Sequence, residues 1–320
     1  MSSRRILVTG GAGFIGASLV RRLLAEGHDV TVLDDFSRGK RDRLADLLGN
    51  LHVCAGDIRD RQLVSRAMQG CEVIFHLAYV QGTQTFYAEP KQVIQIAGRG
   101  ILNILDACEE QGGKELFLVS SSEAYQVPPK GMVPTDETVP LSVPDVLNPR
   151  YSYGGGKIFC EIATLAYARS GILDRAVVIR PHNVLGPDGG YEHVVPELIG
   201  RIAALKGPDL PIQGTGLETR SFCYIDDAID GLLVLLDRGV TENVYHLGAT
   251  EEVTIVELAH RIARCCGRVV KVVPGTLPKG SPPRRLPQIA KLRKLGYEPR
   301  FSLDEALALT VPWYLEHPKP

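Results

Sequence analysis

Residues 6–16 read Ile6-Leu7-Val8-Thr9-Gly10-Gly11-Ala12-Gly13-Phe14-Ile15-Gly16, and the fold follows from how that stretch divides. Ile6 to Val8 is an apolar run of the length of a short buried strand. Phe14, Ile15, Leu19, Val20, Leu23 and Leu24 then recur at helical spacing, and Gly27 marks a helix end. The glycines therefore occupy a turn between a strand and a helix. Val30-Thr31-Val32-Leu33 follows as a second strand and ends in Asp34 and Asp35.

Each part of this arrangement has a physical use. Gly11 and Gly13 permit a tight turn whose N–H groups can approach a pyrophosphate, and Gly16 lets helix and strand pack closely. The helix N-terminus favours the anion. Asp34 can accept hydrogen bonds from a ribose diol, and its charge repels a 2′-phosphate. The expected cofactor is NAD rather than NADP, with Arg38 the one nearby residue that pulls the other way. Gly10, Gly13, Phe14, Ile15 and Gly16 form the expected phosphate-facing turn, and Asp34, Asp35, Ser37 and Arg38 the expected ribose edge.

The alternation continues outward. Strands are expected at 51–54, 73–78, 116–119 and 176–179, with helices at 60–68 and 91–110 and another through Tyr153. Strands alternating with helices imply a parallel sheet covered on both faces, with ligands beyond the carboxyl ends of its strands. His76, the run Ser120-Ser121-Ser122-Glu123 and Arg180-Pro181-His182-Asn183 all fall just past strand ends, so they are expected to line one crevice.

Composition excludes several classes. The 320 residues are 44% hydrophobic and 23% charged with net charge −1, which gives no reason to expect nucleic acid or an anionic membrane as partner. The seven cysteines have no C-x-x-C spacing and mostly sit in apolar runs, as reduced thiols of a cytosolic protein would, and no zinc or other metal site is expected. The N-terminus lacks the pattern of a signal peptide, and no apolar run is long enough to span a bilayer. A cytoplasmic location is the expectation.

Tyr153 and Lys157 stand four residues apart, one turn along one helix face. An ammonium beside a phenol favours the phenolate, so Tyr153 is a candidate general base for an alcohol proton. Three glycines separate the pair and weaken a helix by roughly 1 kcal/mol each relative to alanine. Such a cost suits a helix that something must approach closely, such as the cofactor.

Taken together, the ordered motifs resemble the extended short-chain dehydrogenase/reductases, specifically their sugar-nucleotide epimerases and dehydratases. The motifs are TGGAGFIG (9–16), Asp34, GDIRD (56–60), HLA (76–78), the serine run (120–122), Tyr153 with Lys157, RPHNVLGP (180–187) and TRSFCYIDD (219–227). The resemblance covers nearly the whole chain, although the family's usual Asn-Val-x-Gly-Thr reads here Gln95-Ile96-Ala97-Gly98-Arg99. It implies an α/β, Rossmann-like doubly wound parallel sheet and a smaller mixed α/β C-terminal substrate domain. It also implies a catalytic set of Ser121, Tyr153 and Lys157 around NAD. Tyr153 would take the proton of a sugar 4-hydroxyl as hydride leaves carbon 4, and Lys157 would bind the nicotinamide ribose. Asp57 and Ile58 match adenine-contacting positions, Ala78 and Pro181 match positions that wall the nicotinamide pocket, and Leu77 is a further cofactor-binding residue.

In the family's 4,6-dehydratases the serine run reads Thr-Asp-Glu, with the Asp assisting departure of the carbon-6 hydroxyl and the Glu taking the carbon-5 proton. Here it reads Ser121-Ser122-Glu123. A ketone at carbon 4 acidifies the carbon-5 proton, which makes Glu123 a candidate elimination base. With Ser122 in place of the acid, the leaving hydroxyl needs another donor: Tyr125, His182, a cysteine or water. The expectation is a dehydratase acting on a nucleotide sugar, with a UDP-linked N-acetylhexosamine as substrate. Hydride returning to carbon 4 would leave a 5,6-ene sugar. The alternatives are a 4-epimerase, in which Glu123 is idle, and a non-enzymatic NAD-binding protein.

The second half is less regular. Helices are expected at 194–205, 227–236 and 254–265, and strands at 211–214, 221–225 and 243–248. Capping boxes are expected at Thr254/Glu257 and Ser302/Glu305. The expected cofactor domain is 1–182 plus about 217–250, and the substrate domain about 183–216 plus 251–320. By resemblance, Asn183, Arg220 and Arg284 lie at the diphosphate, with Arg285 competing for the same role, and Val194 and Gln213 touch base or ribose. The family often forms homodimers through helices near 91–110 and 153–170, which makes a homodimer the expectation here.

Overall fold

Strand and helix alternate along most of the chain. The computed structural model describes residues 3–80, 82–276 and 282–319. It begins with β1 (Arg5–Thr9), α1 (Phe14–Ala25), β2 (Asp29–Asp34), β3 (Leu51–Ala55), α2 (Arg61–Met68), β4 (Val73–His76), α3 (Thr83–Ala88), α4 (Pro90–Gln111) and β5 (Lys114–Val119). There follow α5 (Tyr151–Arg169), β6 (Leu173–Pro181), β7 (Val184–Leu185), α6 (Val194–Ala204), β8 (Asp209–Pro211), β9 (Thr219–Ser221) and β10 (Cys223–Tyr224). The chain ends with α7 (Ile225–Arg238), β11 (Asn243–Leu247), β12 (Glu252–Thr254), α8 (Ile255–Cys265), β13 (Lys271–Val273), β14 (Arg284–Arg285), α9 (Ala290–Arg293) and α10 (Leu303–Glu316).

The main sheet has the order β11-β6-β5-β4-β1-β2-β3. From β3 to β6 every pairing is parallel, with Ile6 opposite both Val30 and Val73, and Leu116 opposite Ala176. Its strands are apolar on both faces because helices cover both. Leu7, Leu33, Ile74, Leu116 and Val178 face one side and pack with Val64 of α2, Ile101 and Leu105 of α4, and Cys160 of α5. The alternate residues Ile6, Val8, Val32, Phe75 and Phe117 are equally buried on the other face. Strand order reverses between β1 and β4, which is where an open α/β sheet forms its ligand crevice. A Cβ on Gly10 would stand 2.7 Å from the Ala78 amide nitrogen, so the loops leaving those two strands meet.

The chain divides into two compact units, residues 1–124, 142–180 and 229–245, and residues 125–141, 181–228 and 246–320. This differs from the expected partition. Residues 217–228 and 246–250 group with the second unit, because β9 pairs antiparallel with β12 and parallel with β14, while β10 pairs with β7. The proline-rich stretch joins it too, since Thr135 N donates to Leu286 O at 2.8 Å and Gln288 N to Thr135 O at 2.7 Å. The strand expected at 221–225 is broken at Phe222 into β9 and β10, and the one expected at 211–214 lies earlier as β8, paired with β13. Both capping boxes form, at Thr254 and at Ser302.

Candidate active site

The glycine turn divides its work differently from the spacing-based reading. The left-handed residue is Gly10, with φ 71°. Gly11 serves close packing instead, because a Cβ there would lie 2.6 Å from the Val32 side chain. Gly13 is the N-cap of α1 and no side chain caps it, so the first-turn N–H groups of that helix are open to an anion. A Cβ on Gly16 would overlap the Gly10 carbonyl, and Phe14 and Ile15 open the helix between them.

Asp34 is buried at the tip of β2, where its carboxylate accepts from Ala12 N at 2.9 Å and Phe36 N at 2.8 Å. Burial raises its pKa, against those two hydrogen bonds. Asp35 faces outward and accepts from Ser37 N and Oγ at 2.9 and 2.6 Å, and Arg38 is exposed beyond it. Asp57 is held by Arg59, whose Nε lies 3.0 and 2.9 Å from its two oxygens, and that bond lowers the carboxyl pKa. Arg59 is absent from the expected set, although it adjoins the Gly-Asp-Ile motif. Ile58 turns into the core, where a Cβ on Gly100 would overlap it, so its side chain is not a ligand-facing surface. Leu77 N donates to Thr9 O at 3.1 Å and Ala78 N to Thr9 Oγ1 at 3.2 Å, while Pro181 is the last residue of β6. His76 does not line a crevice. It is 3% exposed with Nδ1 2.7 Å from Thr9 Oγ1, and burial, then the Lys157 charge, pushes its pKa down to about 3.

The helix α5 runs unbroken through Gly154, Gly155 and Gly156. It carries Tyr153 and Lys157, 3% and 4% exposed, with the ammonium 6.0 Å from the Tyr153 ring centre. Lys157 Nζ donates to Val119 O at 2.8 Å, at the end of β5. Burial pushes its pKa down to about 8, opposed by Cys160 and Glu161. The close approach at Gly156 comes from the protein itself: a Cβ there would overlap Tyr79 Oη and lie 2.8 Å from Ala97 Cβ. Tyr79 meets the Tyr153 ring edge-on at 5.1 Å, and Phe86 stacks on it at 4.7 Å. Neither aromatic belongs to the expected set. Tyr79 follows the His-Leu-Ala motif directly, which is the one signal in the sequence that points to it.

After β5 the chain makes a single 3₁₀ turn, Ser122–Tyr125. Ser121 Oγ accepts from Glu123 N at 3.1 Å, and both residues are half-buried, whereas Ser122 is buried. Ser120 points inward to Glu161, with Oγ to Oε1 at 2.5 Å. Glu161 is also paired with Arg180, Nε to Oε1 at 3.0 Å, and all three are buried. Arg180 therefore braces the end of β6 against α5 and does not line a crevice. Two of the suggested donors for the leaving hydroxyl are likewise internal to the second unit. Tyr125 Oη lies 2.7 Å from His246 Nε2, and the His182 ring packs on His246 at 4.7 Å.

In the second unit, Asn183 adopts φ 37° and donates from Nδ2 to Ser221 O at 2.9 Å. It lines a cavity of about 100 Å³ with Val194, Val195, Phe222 and Tyr314. Gln213 is exposed outside that lining. Arg220 donates to Thr219 O at 2.7 Å and Pro282 O at 2.9 Å. Arg284 grips the Glu252 carboxylate through Nε and Nη2 at 2.6 and 2.8 Å and is half-exposed. Its neighbour Arg285 is buried and stands opposite Arg220 in the β14–β9 register. Partners in register share a sheet face, so Arg285 lies on the face of Arg220 while Arg284, matched to the diphosphate by resemblance, is held by Glu252.

A crowded glycine turn, an open helix N-terminus and a buried acid at the tip of β2 fit an adenine dinucleotide and mark a dinucleotide-binding α/β protein, whose helix α5 carries the Tyr153–Lys157 pair. More particularly, residues 6–248 match the NAD dependent epimerase/dehydratase family, and the chain belongs to it. The chain is 32% identical to a UDP-N-acetyl-alpha-D-glucosaminuronate decarboxylase of Bacillus cytotoxicus, over 98% of each chain. Among solved structures it resembles UDP-glucose 4-epimerase of Thermotoga maritima (TM-score 0.88, 28% identity, 98% of this chain and 100% of that one). It also resembles a dTDP-glucose 4,6-dehydratase of Streptomyces venezuelae with NAD bound (TM-score 0.86, 30% identity, 98% and 97%). The chain is thus an NAD-dependent enzyme of the sugar-nucleotide epimerase, dehydratase and decarboxylase group. Among the described residues no helix is long and apolar enough to cross a membrane.

Proposed function

We propose that the protein is a nucleotide-sugar dehydratase acting on a UDP-linked N-acetylhexosamine, UDP-GlcNAc foremost, and eliminating water across carbons 5 and 6. The carrying observation is Glu123, a half-buried carboxylate on the turn after β5, beside a Ser122 that replaces the usual acid. When bound, NAD would supply a reversible hydride acceptor, and in the reading favoured here carbon 4 ends reduced. Gly10, Gly13, Gly16 and Asp34 would hold that cofactor. Tyr153 removes the proton of the 4-hydroxyl, Lys157 keeps a positive charge beside the phenolate, and Ser121 donates to the sugar oxygen. Glu123 then takes the carbon-5 proton, which the ketone has acidified. The buried Ser122 supplies no carboxylic acid, which favours a 5,6-ene product of the kind made by the 5,6-dehydratase of tunicamycin biosynthesis over a 4-keto-6-deoxy sugar. In the second unit, Asn183, Arg220 and Arg285 hold the diphosphate and Val194 faces the base. An arginine pair suits that ligand because each planar fork donates twice to phosphate oxygens.

The name of the Bacillus relative supports a UDP-linked N-acetylated sugar. It also gives a second reading, since a 4-keto sugar carrying a 6-carboxylate would lose carbon dioxide at the same ketone. A 4-epimerase, as in the Thermotoga neighbour, is the third. Incubation with UDP-GlcNAc in deuterated water tests the choice. The wild type should lose the carbon-5 proton with water and give an alkene that carries neither hydrogen nor deuterium on carbon 5, and Glu123→Gln should form none of it; water loss that persists without Glu123 would sink the assignment. We also infer a homodimer formed on α4 and α5, which leave Ile94, Leu102, Phe159 and Ile162 exposed. Light scattering of Ile162→Glu should report a monomer, and an unchanged mass would refute that surface.

A further inference from the structure

Tyr153 and Lys157 work in a buried site, and burial is hostile to the charge that Lys157 must keep. Among the described residues, the groups that face its ammonium come from α5, β4, β5 and the loop after β4. From α5 itself come Tyr153, Cys160 and Glu161, the last already paired with Arg180. From β4 comes His76, which burial keeps neutral. From β5 comes the Val119 carbonyl, and from the loop after β4 comes Tyr79. The centre of the Tyr79 ring lies 3.9 Å from Lys157 Nζ. An ammonium over an aromatic face is attracted by the ring quadrupole, more strongly where water is excluded.

Tyr79 is also fixed in place. Its hydroxyl donates to Tyr153 O at 3.4 Å, its ring meets the Tyr153 ring edge-on, and the missing side chain of Gly156 makes the room it occupies. Burial pushes its own pKa well up, so it remains a neutral phenol.

We propose that Tyr79 is a positioning residue for the catalytic pair: its ring face keeps the buried Lys157 charged, and its edge and hydroxyl fix Tyr153. The proposal rests on the reading of Tyr153 and Lys157 as the proton-transfer pair, and not on which sugar they serve. It explains why α5 tolerates a glycine where a helix would prefer alanine.

The test is a titration of the Tyr153 phenol in the NAD-loaded protein, read as near-ultraviolet difference absorbance against the Tyr153→Phe variant. Tyr79→Phe keeps the ring and should leave the midpoint within about 0.3 pH units, whereas Tyr79→Leu should raise it by about one unit. Phenylalanines with one, two and three ring fluorines at position 79 keep the shape while draining the π face, and should raise the midpoint stepwise. That series decides the matter if Tyr79→Leu does not fold. In parallel, the alkaline limb of the turnover profile should fall as Lys157 loses its charge earlier. Midpoints that coincide across the fluorinated series would overturn the proposal and leave Tyr79 as packing alone. A stepwise shift without product from any nucleotide sugar would instead remove the proposed reaction and leave the role of Tyr79 standing.

Discussion

The α5 pair and the β14 pair place charge in opposite ways. On α5, Lys157 is enclosed and meets a carbonyl, an aromatic face and a phenol, all fixed by surrounding packing. On β14, adjacent arginines alternate across a short strand, so Arg284 is spent on Glu252 while Arg285 turns to the face shared with Arg220. Chemistry built within one helical turn is specified by local spacing. Chemistry built across strands is specified by register, which no short stretch of sequence contains.

Variants can break or sharpen that contrast. The largest effect belongs to α5: Tyr153→Phe should lower turnover by roughly a thousandfold, with circular dichroism unchanged. Only a small loss would remove Tyr153 as the base. Next comes β14. Calorimetry with a UDP-sugar should show binding to Arg285→Met weakened by roughly 30-fold, as loss of a charge-assisted phosphate contact predicts, and binding to Arg284→Met weakened less than about threefold. The reverse order would restore Arg284.

A third comparison concerns pH. His76, whose pKa burial pushes down to about 3, binds its proton more readily in the unfolded chain. Its contribution to stability is therefore complete above about pH 6.5 and is lost as pH falls towards the folded value. Urea unfolding should lose about 2 kcal/mol between about pH 7 and pH 5, and His76→Asn should flatten that slope. The smallest effect lies at the helix caps. Ser302 accepts from Glu305 N at 3.3 Å, and Ser302→Ala should cost about 1 kcal/mol in the same assay.

The parts of the molecule readable in advance are those whose physics is local. The strand–glycine–helix start, the strands from β1 to β6, the Tyr153–Lys157 spacing and both capping boxes follow from patterns a few residues long. The turn residue was displaced by one position because Gly10 and Gly11 compete, and only the approach of Ala78 and Val32 assigns each its role. The partners Tyr79 with Gly156, Arg59 with Asp57, and Glu161 with Arg180 are ordinary residues until folding brings them together. The two compact units differ from the sequence-based partition for the same reason, since β9 finds β12 and β14 far along the sequence.

The most direct test of the account is the product formed from UDP-GlcNAc by the NAD-loaded enzyme, identified by mass and proton NMR beside UDP-glucose and a UDP-sugar bearing a 6-carboxylate. The account predicts a product from UDP-GlcNAc lighter by one water, with two exocyclic alkene protons and NAD restored. An isomer of unchanged mass inverted at carbon 4, or turnover of the 6-carboxylate substrate alone with release of carbon dioxide, would contradict it.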